Sequence, residues 1–274
     1  MSNDERLLKE ERHAAILEYL EENKKVSTAY IQRKFGVSYG TANNDLDEIA
    51  ERGYAKRTHG GIIKLPQIGY NPVNGALSSK ERCTEIRENY LEIAKAATAM
   101  IAENDVVYLT GASLGYLIAR EIPAGLHITA VVNSISIAEE LRKKSDVRVI
   151  IAGGEMADSG NIYGDFALSV IERVRYDKAF ITSAACTADF GLSVQGATSI
   201  PLTKAVIKNA RLVIGMYPAE KVGCDSILQI CRASEIDTLI TEPEAPEDEC
   251  EKLRQLGIEV VYAKSSKTAL SDAD

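Results

Sequence analysis

VSTAYIQRKFGVSYGTANNDLDEIAERGYAKRTHGGIIKL, residues 26–65, decides how the N-terminal part of the chain is read. Ser27 or Thr28 is placed to cap a short helix carrying Tyr30, Ile31 and Phe35, and Gly36 is placed to end it. Ser38 is placed to cap a further helix through Ala50, with Leu46 and Ile49 on its buried side and Gly53 as its stop. Two short helices joined by Gly-Val-Ser predict a helix-turn-helix. After Gly53 the pattern changes to two β-prone runs, YAKRT and IIKL, separated by His59-Gly60-Gly61. Glycine supplies the positive φ angles that a tight hairpin needs, and a hairpin straight after a recognition helix reads as a wing. Upstream, Glu10 to Glu22 predicts an amphipathic helix with Ala14, Ile16, Leu17 and Leu20 near helical spacing.

A recognition helix reads base edges with residues near its N-terminus, which here are Ser38, Tyr39, Thr41, Asn43 and Asn44. Asparagine forms paired hydrogen bonds with adenine in the major groove. Serine, threonine and tyrosine reach bases or phosphates. The wing supplies Lys56, Arg57, His59 and Gly60, suited to phosphates or a narrow minor groove. The net charge of −8 excludes a chain coated in nucleic acid but leaves room for a local basic face. Arg52 to Lys64 is such a stretch, with Arg52, Lys56, Arg57 and Lys64 and no acid. A small helical domain for protein contacts, with a solvated basic run, is the alternative; helix-turn-helix, Gly-Gly wing and wing charge together favour double-stranded DNA.

The 274 residues suit two domains, and 45% hydrophobic with 26% charged residues suits a globular chain with a real core. No apolar run approaches the roughly 18 to 20 residues that span a bilayer, and Met1 to Arg12 lacks the apolar stretch of a secretory signal. A cytoplasmic protein with no membrane contact is expected. Cys83, Cys186, Cys224, Cys231 and Cys250 form no C-x-x-C pair, and three histidines are too few to suggest a metal centre. Free thiols, no metal and no cofactor are expected.

From Lys80 onward helix and strand patterns alternate. Strands are predicted at 105–109, 127–132, 147–152, 178–182, 212–216, 238–241 and 259–262. Helices are predicted at 86–102, 114–121, 135–143, 168–173, 202–209 and 247–256, with a short one at Ile227 to Cys231. Apolar runs alternating with amphipathic helices imply an α/β domain with a mostly parallel sheet covered on both faces. The expected division is 1–65 for the winged helix-turn-helix, 66–79 for a Pro/Gly/Asn/Ser-rich linker, 80–264 for the α/β domain and 265–274 for a fraying tail.

Val37, Ser38, Thr41, Asp45 and Leu46, followed by Arg57, His59, Gly60 and Gly61, resemble the V-S-x-x-T-I-R-R-D-L helix and R-x-H-G-G wing of the DeoR family of bacterial sugar-metabolism regulators. Asn43-Asn44 stand where that family has two arginines, which removes two positive charges from the reading surface. The resemblance continues from about Lys80 to Tyr262. It implies a C-terminal domain similar to ribose-5-phosphate isomerase that binds phosphorylated sugars.

The strand DVVYL runs into Thr110-Gly111-Ala112-Ser113 and a helix, and backbone N–H groups at such a junction bind anions. This loop stands where the family has D-S-G-T-T; it keeps the glycine but lacks the aspartate and both threonines. Asn133-Ser134 match the family's T-N-S, and Gly153-Gly154 its G-G. Ligands of parallel sheets bind outside the carboxyl ends of strands, where these loops would converge; ordinary turn and cap chemistry is the alternative. Gly164 fits a G-x-x-A helix start, Lys204 one member of a basic pair, and Lys221 the end of S-S-K-F-G. Lys178 matches D-K-A-F, but a single lysine beside a strand is more often a solvated charge. Ser183-Ala184-Ala185 replace glycines and would reshape a pocket.

The expected function is a ligand-responsive regulator, a repressor of carbohydrate-metabolism genes, acting as a homodimer or homotetramer with a phosphorylated sugar as effector. A constitutive DNA-binding regulator with a decayed sensor pocket is one alternative. A sugar-phosphate isomerase is another, but it requires a general base. The candidate loops offer only Glu155, Asp158 and Asp165 nearby, and His127 lies at a strand start, so no enzyme is expected.

Overall fold

The computed structural model describes residues 9–51, 55–64 and 87–264. The chain divides into two compact units, residues 1–66 and 67–274. The expected stop at Gly53, the linker 66–79 and the tail 265–274 lie outside the described residues.

In the first unit, α1 (Lys9–Asn23), α2 (Thr28–Phe35) and α3 (Tyr39–Glu51) pack with β1 (Lys25–Ser27), β2 (Ala55–Thr58) and β3 (Gly61–Lys64). The caps follow from side-chain chemistry. Ser27 Oγ accepts a hydrogen bond from Tyr30 N at 3.1 Å, Gly36 takes the left-handed conformation at φ 63°, and Ser38 Oγ accepts from Thr41 N at 3.1 Å. The sheet is antiparallel in the order β1-β3-β2. Its outer strand β1 was not anticipated, because three residues between two helices carry too little pattern to read.

Ile16, Leu20, Val26, Ile31, Ala42, Leu46, Ile49, Ala55 and Ile62 form the core of this unit. Ala14 is exposed, and Arg12 and His13 turn inward instead. They meet Asp45, which sits on the buried stripe of α3 between Ala42 and Ile49 and is 1% exposed. Arg12 Nε and Nη2 donate to the Asp45 carboxylate at 2.6 and 3.0 Å, and His13 Nε2 lies 3.0 Å from it. Burial pushes the Asp45 carboxyl up, but the hydrogen bonds and charges of Arg12 and His13 outweigh this and hold it below its ordinary value.

The second unit is built on a seven-stranded sheet in the order β15-β14-β12-β9-β4-β5-β6. These strands are β4 (Val106–Leu109), β5 (Ile128–Val132), β6 (Val147–Ile151), β9 (Tyr176–Ile181), β12 (Ala210–Met216), β14 (Thr238–Thr241) and β15 (Glu259–Tyr262). Every pairing in it is parallel. Alternate side chains feed two cores. Val107 and Leu109 face α4 (Glu88–Thr98), α5 (Ser113–Glu121) and α6 (Ile135–Leu141), through residues such as Ile93, Leu117 and Ile137. Tyr108 faces the other layer, where α7 (Asp165–Ile171), α8 (Ile200–Asn209) and α9 (Glu247–Gln255) supply Ile171, Leu202 and Leu253.

Two small sheets, not anticipated, complete the unit: the ribbon β7 (Glu155–Met156) with β8 (Ile162–Tyr163), and an antiparallel sheet of β10 (Ala185–Thr187), β11 (Gly191–Val194) and β13 (Leu228–Cys231). The helix expected at Ile227 to Cys231 is thus strand β13. Five residues, Ile-Leu-Gln-Ile-Cys, are too few to reveal a period, and the distant pairing with β11 decides it. From β4 the chain winds outward to β5 and β6, then returns to place β9 on the other side of β4. The strand order therefore reverses between β4 and β9, where open α/β sheets leave a crevice at the carboxyl ends of their strands.

Removing one partner of a buried ion pair leaves an uncompensated charge or an unmet donor, at about 3 kcal/mol or more. Asp45→Asn is expected to destabilise the first unit by that order, read from its denaturant midpoint. The folded carboxyl titrates below its unfolded value, so its stabilisation is complete above the ordinary carboxylate pKa and is lost as pH falls through the depressed one. An acid titration of wild type and Asp45→Asn should converge in that window; parallel curves would contradict the assignment.

Candidate DNA-reading surface and ligand cavity

The Asp45 anchor fixes the rotation of α3 and so determines which side chains face outward. Tyr39 is 63% exposed, and Ser38, Gly40 and Asn44 are exposed beside it. Thr41 is half-buried, with Oγ1 2.9 Å from the capping Ser38 Oγ. Asn43 is also half-buried and is engaged within the unit: Nδ2 donates to Asp47 Oδ2 at 3.2 Å, and Oδ1 accepts from Arg57 Nη2. Arg57 additionally pairs with Asp47 Oδ1 at 2.6 Å through Nε and donates to Gly61 O at 3.1 Å. Arg57 thereby joins the wing to the helix. Lys56, His59 and Gly60 are exposed on the wing, and Gly60 O accepts from Thr28 N at 2.9 Å.

The helix α3 carries no lysine or arginine, and three of its acids are engaged: Asp45 by Arg12 and His13, Asp47 by Arg57, Glu48 by Lys9 at 2.5 Å. Exposed cations of this unit that the sequence reading passed over include Lys24, Lys25 on β1, and Arg33 and Lys34 in the last turn of α2.

At the carboxyl ends of β4 and β9, a cavity of about 340 Å³ opens where the strand order reverses. Of the expected ligand residues, Thr110, Gly111, Ala112, Asn133 and Lys221 line it. Ser113, Ser134, Gly153, Gly154, Gly164 and Lys204 do not. Ser113 begins α5; Ser134 is buried with Oγ 3.2 Å from Ser136 Oγ; Gly153 and Gly154 are exposed; Gly164 caps α7 at φ 92°. Lys204 points to solvent, while its neighbours Leu202 and Thr203 line the cavity. Lys178 lies toward the amino end of β9 and pairs with Asp105 at 2.5 Å, away from the cavity.

Polar residues of the lining that sequence reasoning missed include Asn161, Tyr163, Thr182 and Ser199. Backbone bonds place Asn161. Ile162 N donates to Asn133 O at 2.7 Å and Ile135 N to Gly160 O at 3.1 Å, which stitches the β7–β8 ribbon to the β5–α6 junction. Asn133 is spent on the same joint: its Oδ1 accepts from Tyr108 Oη at 2.9 Å and its Nδ2 donates to Ile162 O at 3.0 Å. Burial pushes the Tyr108 phenol far up, which keeps it a neutral donor. Asn161 Nδ2 donates to Gly111 O at 2.6 Å, and a Cβ at Gly111 would fall 2.6 Å from Asn161 Oδ1, so a side chain there would displace the Asn161 amide.

Lys221 brings the charge. Its Nζ lies 3.4 Å from Ser183 O and 5.9 Å from the centre of the Tyr90 ring, and it makes no ion pair among the described residues. Burial lowers its pKa, only partly opposed by Glu220. The lining among the described residues includes no carboxylate and no imidazole.

Residues 12–67 match the DeoR-like helix-turn-helix domain and residues 87–243 the DeoR C terminal sensor domain. The HTH-type transcriptional regulator GolR of Listeria innocua is 25% identical over 262 residues, covering 93% of this chain and 98% of that protein. The HTH-type transcriptional repressor GlcR of Bacillus subtilis is 26% identical, covering 95% and 99%. The glycerol-3-phosphate regulon repressor of Escherichia coli is 26% identical over 238 residues, covering 86% and 92%. A ribose 5-phosphate isomerase from Methanocaldococcus jannaschii is similar in fold over 51% of this chain and 54% of that chain, with 16% identity and a TM-score of 0.37. No helix among the described residues is long and apolar enough to cross a membrane.

The Arg57–Asp47 pair is partly solvent-exposed and so worth at most about 1 kcal/mol. A DNA phosphate can compete with it. Asp47→Asn is expected to free Arg57, strengthen sequence-independent duplex binding and steepen the salt dependence by about one counterion. Fluorescence anisotropy across a salt series reads both; an unchanged slope would show that Arg57 stays on the helix.

Proposed function

The chain belongs to the DeoR family of transcriptional regulators, and from that premise we propose that it is a repressor of carbohydrate-metabolism genes whose DNA affinity is set by a phosphorylated sugar or related polyol anion. The observation that carries this reading is the cavity between β4 and β9, which holds a lysine without an ion pair among the described residues and is otherwise lined by hydroxyls, amides and apolar groups. The Thr110 hydroxyl after β4 and Lys221 would hold an anion, Gly111 and Ala112 would shape the wall, and Asn133 would hold the walls together. Ser113, Ser134, Gly153, Gly154, Gly164 and Lys204 act at most as turns, caps or solvated charge.

On the DNA side, Tyr39, Asn44, Ser38 and Thr41 are the base- and phosphate-facing set, with Lys56, His59 and Gly60 on the wing. Asn43 and Arg57 serve first to hold wing and helix together. The division of labour follows 1–65 for reading, 66–79 for linking and 80–264 for sensing, with 265–274 as a tail. Paired half-sites favour a homodimer or homotetramer, and the protein works in the cytoplasm. Isomerisation is not proposed, since the relatives that cover the chain are named as transcriptional regulators. A second reading, constitutive binding with a decayed sensor, draws on the replacement of the family's D-S-G-T-T by Thr110-Gly111-Ala112-Ser113.

Anisotropy on duplex DNA from the chain's own upstream region, begun at low ionic strength, tests the proposal. Salt-sensitive binding that D-glucose 6-phosphate, D-ribose 5-phosphate or glycerol 3-phosphate weakens is expected. Lys221→Met should leave basal DNA binding intact and abolish the response. Since burial lowers the Lys221 pKa, its charge is lost at lower pH than that of an ordinary lysine. The metabolite response should therefore fade as pH rises. DNA binding that no metabolite changes would favour the constitutive reading, and no salt-sensitive binding to any duplex would overturn the regulator itself.

A further inference from the structure

The seven-stranded sheet has two outer strands, and they are finished differently. Strand β15 opens on the exposed Glu259 and closes on Tyr262, whose hydroxyl donates to Glu247 at 2.5 Å and accepts from Arg254 at 2.9 Å. Charged groups at an edge keep its unpaired backbone from taking up another strand. Strand β6 has no such guard. Its sequence is Val-Arg-Val-Ile-Ile, Arg148 is its one charge, and it pairs with β5 on one side only. Val149 and Ile150 pack against the two cores yet stay only half-buried, and Ile151 is exposed.

Bare apolar side chains continue beyond that edge. Met156 on β7 is 66% exposed, Phe166 in the first turn of α7 is 78% exposed, and Ile135 at the start of α6 is exposed as well. Packing and backbone bonds hold them in one neighbourhood. A Cβ at Gly154 would lie 3.4 Å from Ala167 Cβ, which sets the stretch after β6 against α7. Met156 pairs with Ile162 across the ribbon, and Ile135 N donates to Gly160 O at 3.1 Å at the ribbon's turn. Single exposed apolar residues need no explanation, but a group of them around an unguarded strand edge marks a protein contact. Charge is divided along the same surface: Arg148 lies at the amino end of β6, whereas the exposed Glu155 and Asp158 follow its carboxyl end.

We infer that β6 and the ribbon beside it are the surface through which two copies of this chain join, edge to edge, with their β6 strands antiparallel about a two-fold axis. This inference rests on the homo-oligomer proposed above and adds the surface that forms it. A two-fold interface uses the same patch on both copies. Antiparallel pairing of two identical edges satisfies the backbone of both at once. It also sets the amino end of each β6, with Arg148, beside the carboxyl end of the other copy, with Glu155 and Asp158, so opposite charges meet twice. A foreign partner would have to match the strand edge, the apolar rim and the order of charges together; a second copy matches all three by symmetry.

Sedimentation equilibrium of the full chain over a concentration series tests the assignment. The wild type is expected to be a dimer, or a tetramer built from that dimer. Ile151→Lys and Phe166→Asp put a charge into the contact, and each should raise the dissociation constant about tenfold or more and shift the chain toward half the wild-type mass. Both side chains are exposed in the single chain, so circular dichroism should show the fold retained. Leu256→Lys, just before the opposite edge strand β15, should keep the wild-type mass. Arg148→Glu and Glu155→Arg should each weaken association and the double variant restore it, a rescue that a purely structural role of either residue would not give. If the wild type assembles and neither Ile151→Lys nor Phe166→Asp changes its mass, the copies join elsewhere: the inference falls while the homo-oligomer stands. If the wild type is a monomer throughout the series, the homo-oligomer falls and the inference with it.

Discussion

A buried polar group has to find a partner, and both halves of this protein are organised by where those partners come from. In the first unit the Asp45 carboxylate lies on the apolar stripe of α3, among Ala42, Leu46 and Ile49. An aspartate there is tolerable only because Arg12 and His13 reach it from α1. The same contact fixes the rotation of α3, since a turn of the helix would carry Asp45 away from its donors. With Asp45 inward, Tyr39 and Asn44 are outward. In the second unit the Tyr108–Asn133–Ile162 chain of hydrogen bonds performs the equivalent task, closing one wall of the cavity with groups that satisfy one another.

The electrostatics of the reading surface follow from the same accounting. A helix with acids and no lysine or arginine is a poor approach to a polyanion unless those acids are covered. Lys9, Arg12 and Arg57 cover three of the four, so these cations are committed within the unit before any DNA arrives. On the reading proposed above, attraction to phosphate falls to exposed cations around the helix, such as Arg33 and Lys34 at the end of α2 and Lys56 on the wing. That reading separates positioning by charge at the edges from base reading by neutral side chains at the start of α3.

Much of this was legible in the sequence where the signal is local. Ser27, Gly36 and Ser38 act as the caps they resemble, and the wing turns at His59-Gly60. Strands β4, β5 and β14 were readable because each is a short apolar run followed by an amphipathic helix. The failures share one cause: the deciding partner is far away in the chain. Strand β13 is defined by β11, more than thirty residues earlier. Asn43 looks like a free base reader until Arg57 folds back onto it. Asn161 ends a polar loop that reads as a turn, and only its bond to Gly111 O brings it to the cavity. Lys204 missed the cavity by helical phase, with Thr203 on the inward side. The family resemblance located the loops but not which side chain of each loop faces the ligand.

The position of the cavity bears on how sensing could work at all. Its wall takes Gly111 and Ala112 from the start of α5, on one layer of helices, and Ser199, Leu202 and Thr203 from the start of α8, on the opposite layer. A ligand that fills it touches both layers at once. It therefore stabilises the arrangement of layers that fits it best, by the difference between its affinities for the alternatives. Placing the site where the sheet reverses its strand order makes this possible, because only there do the two layers converge on one opening. A ligand with equal affinity for both arrangements would shift nothing, however tightly it bound.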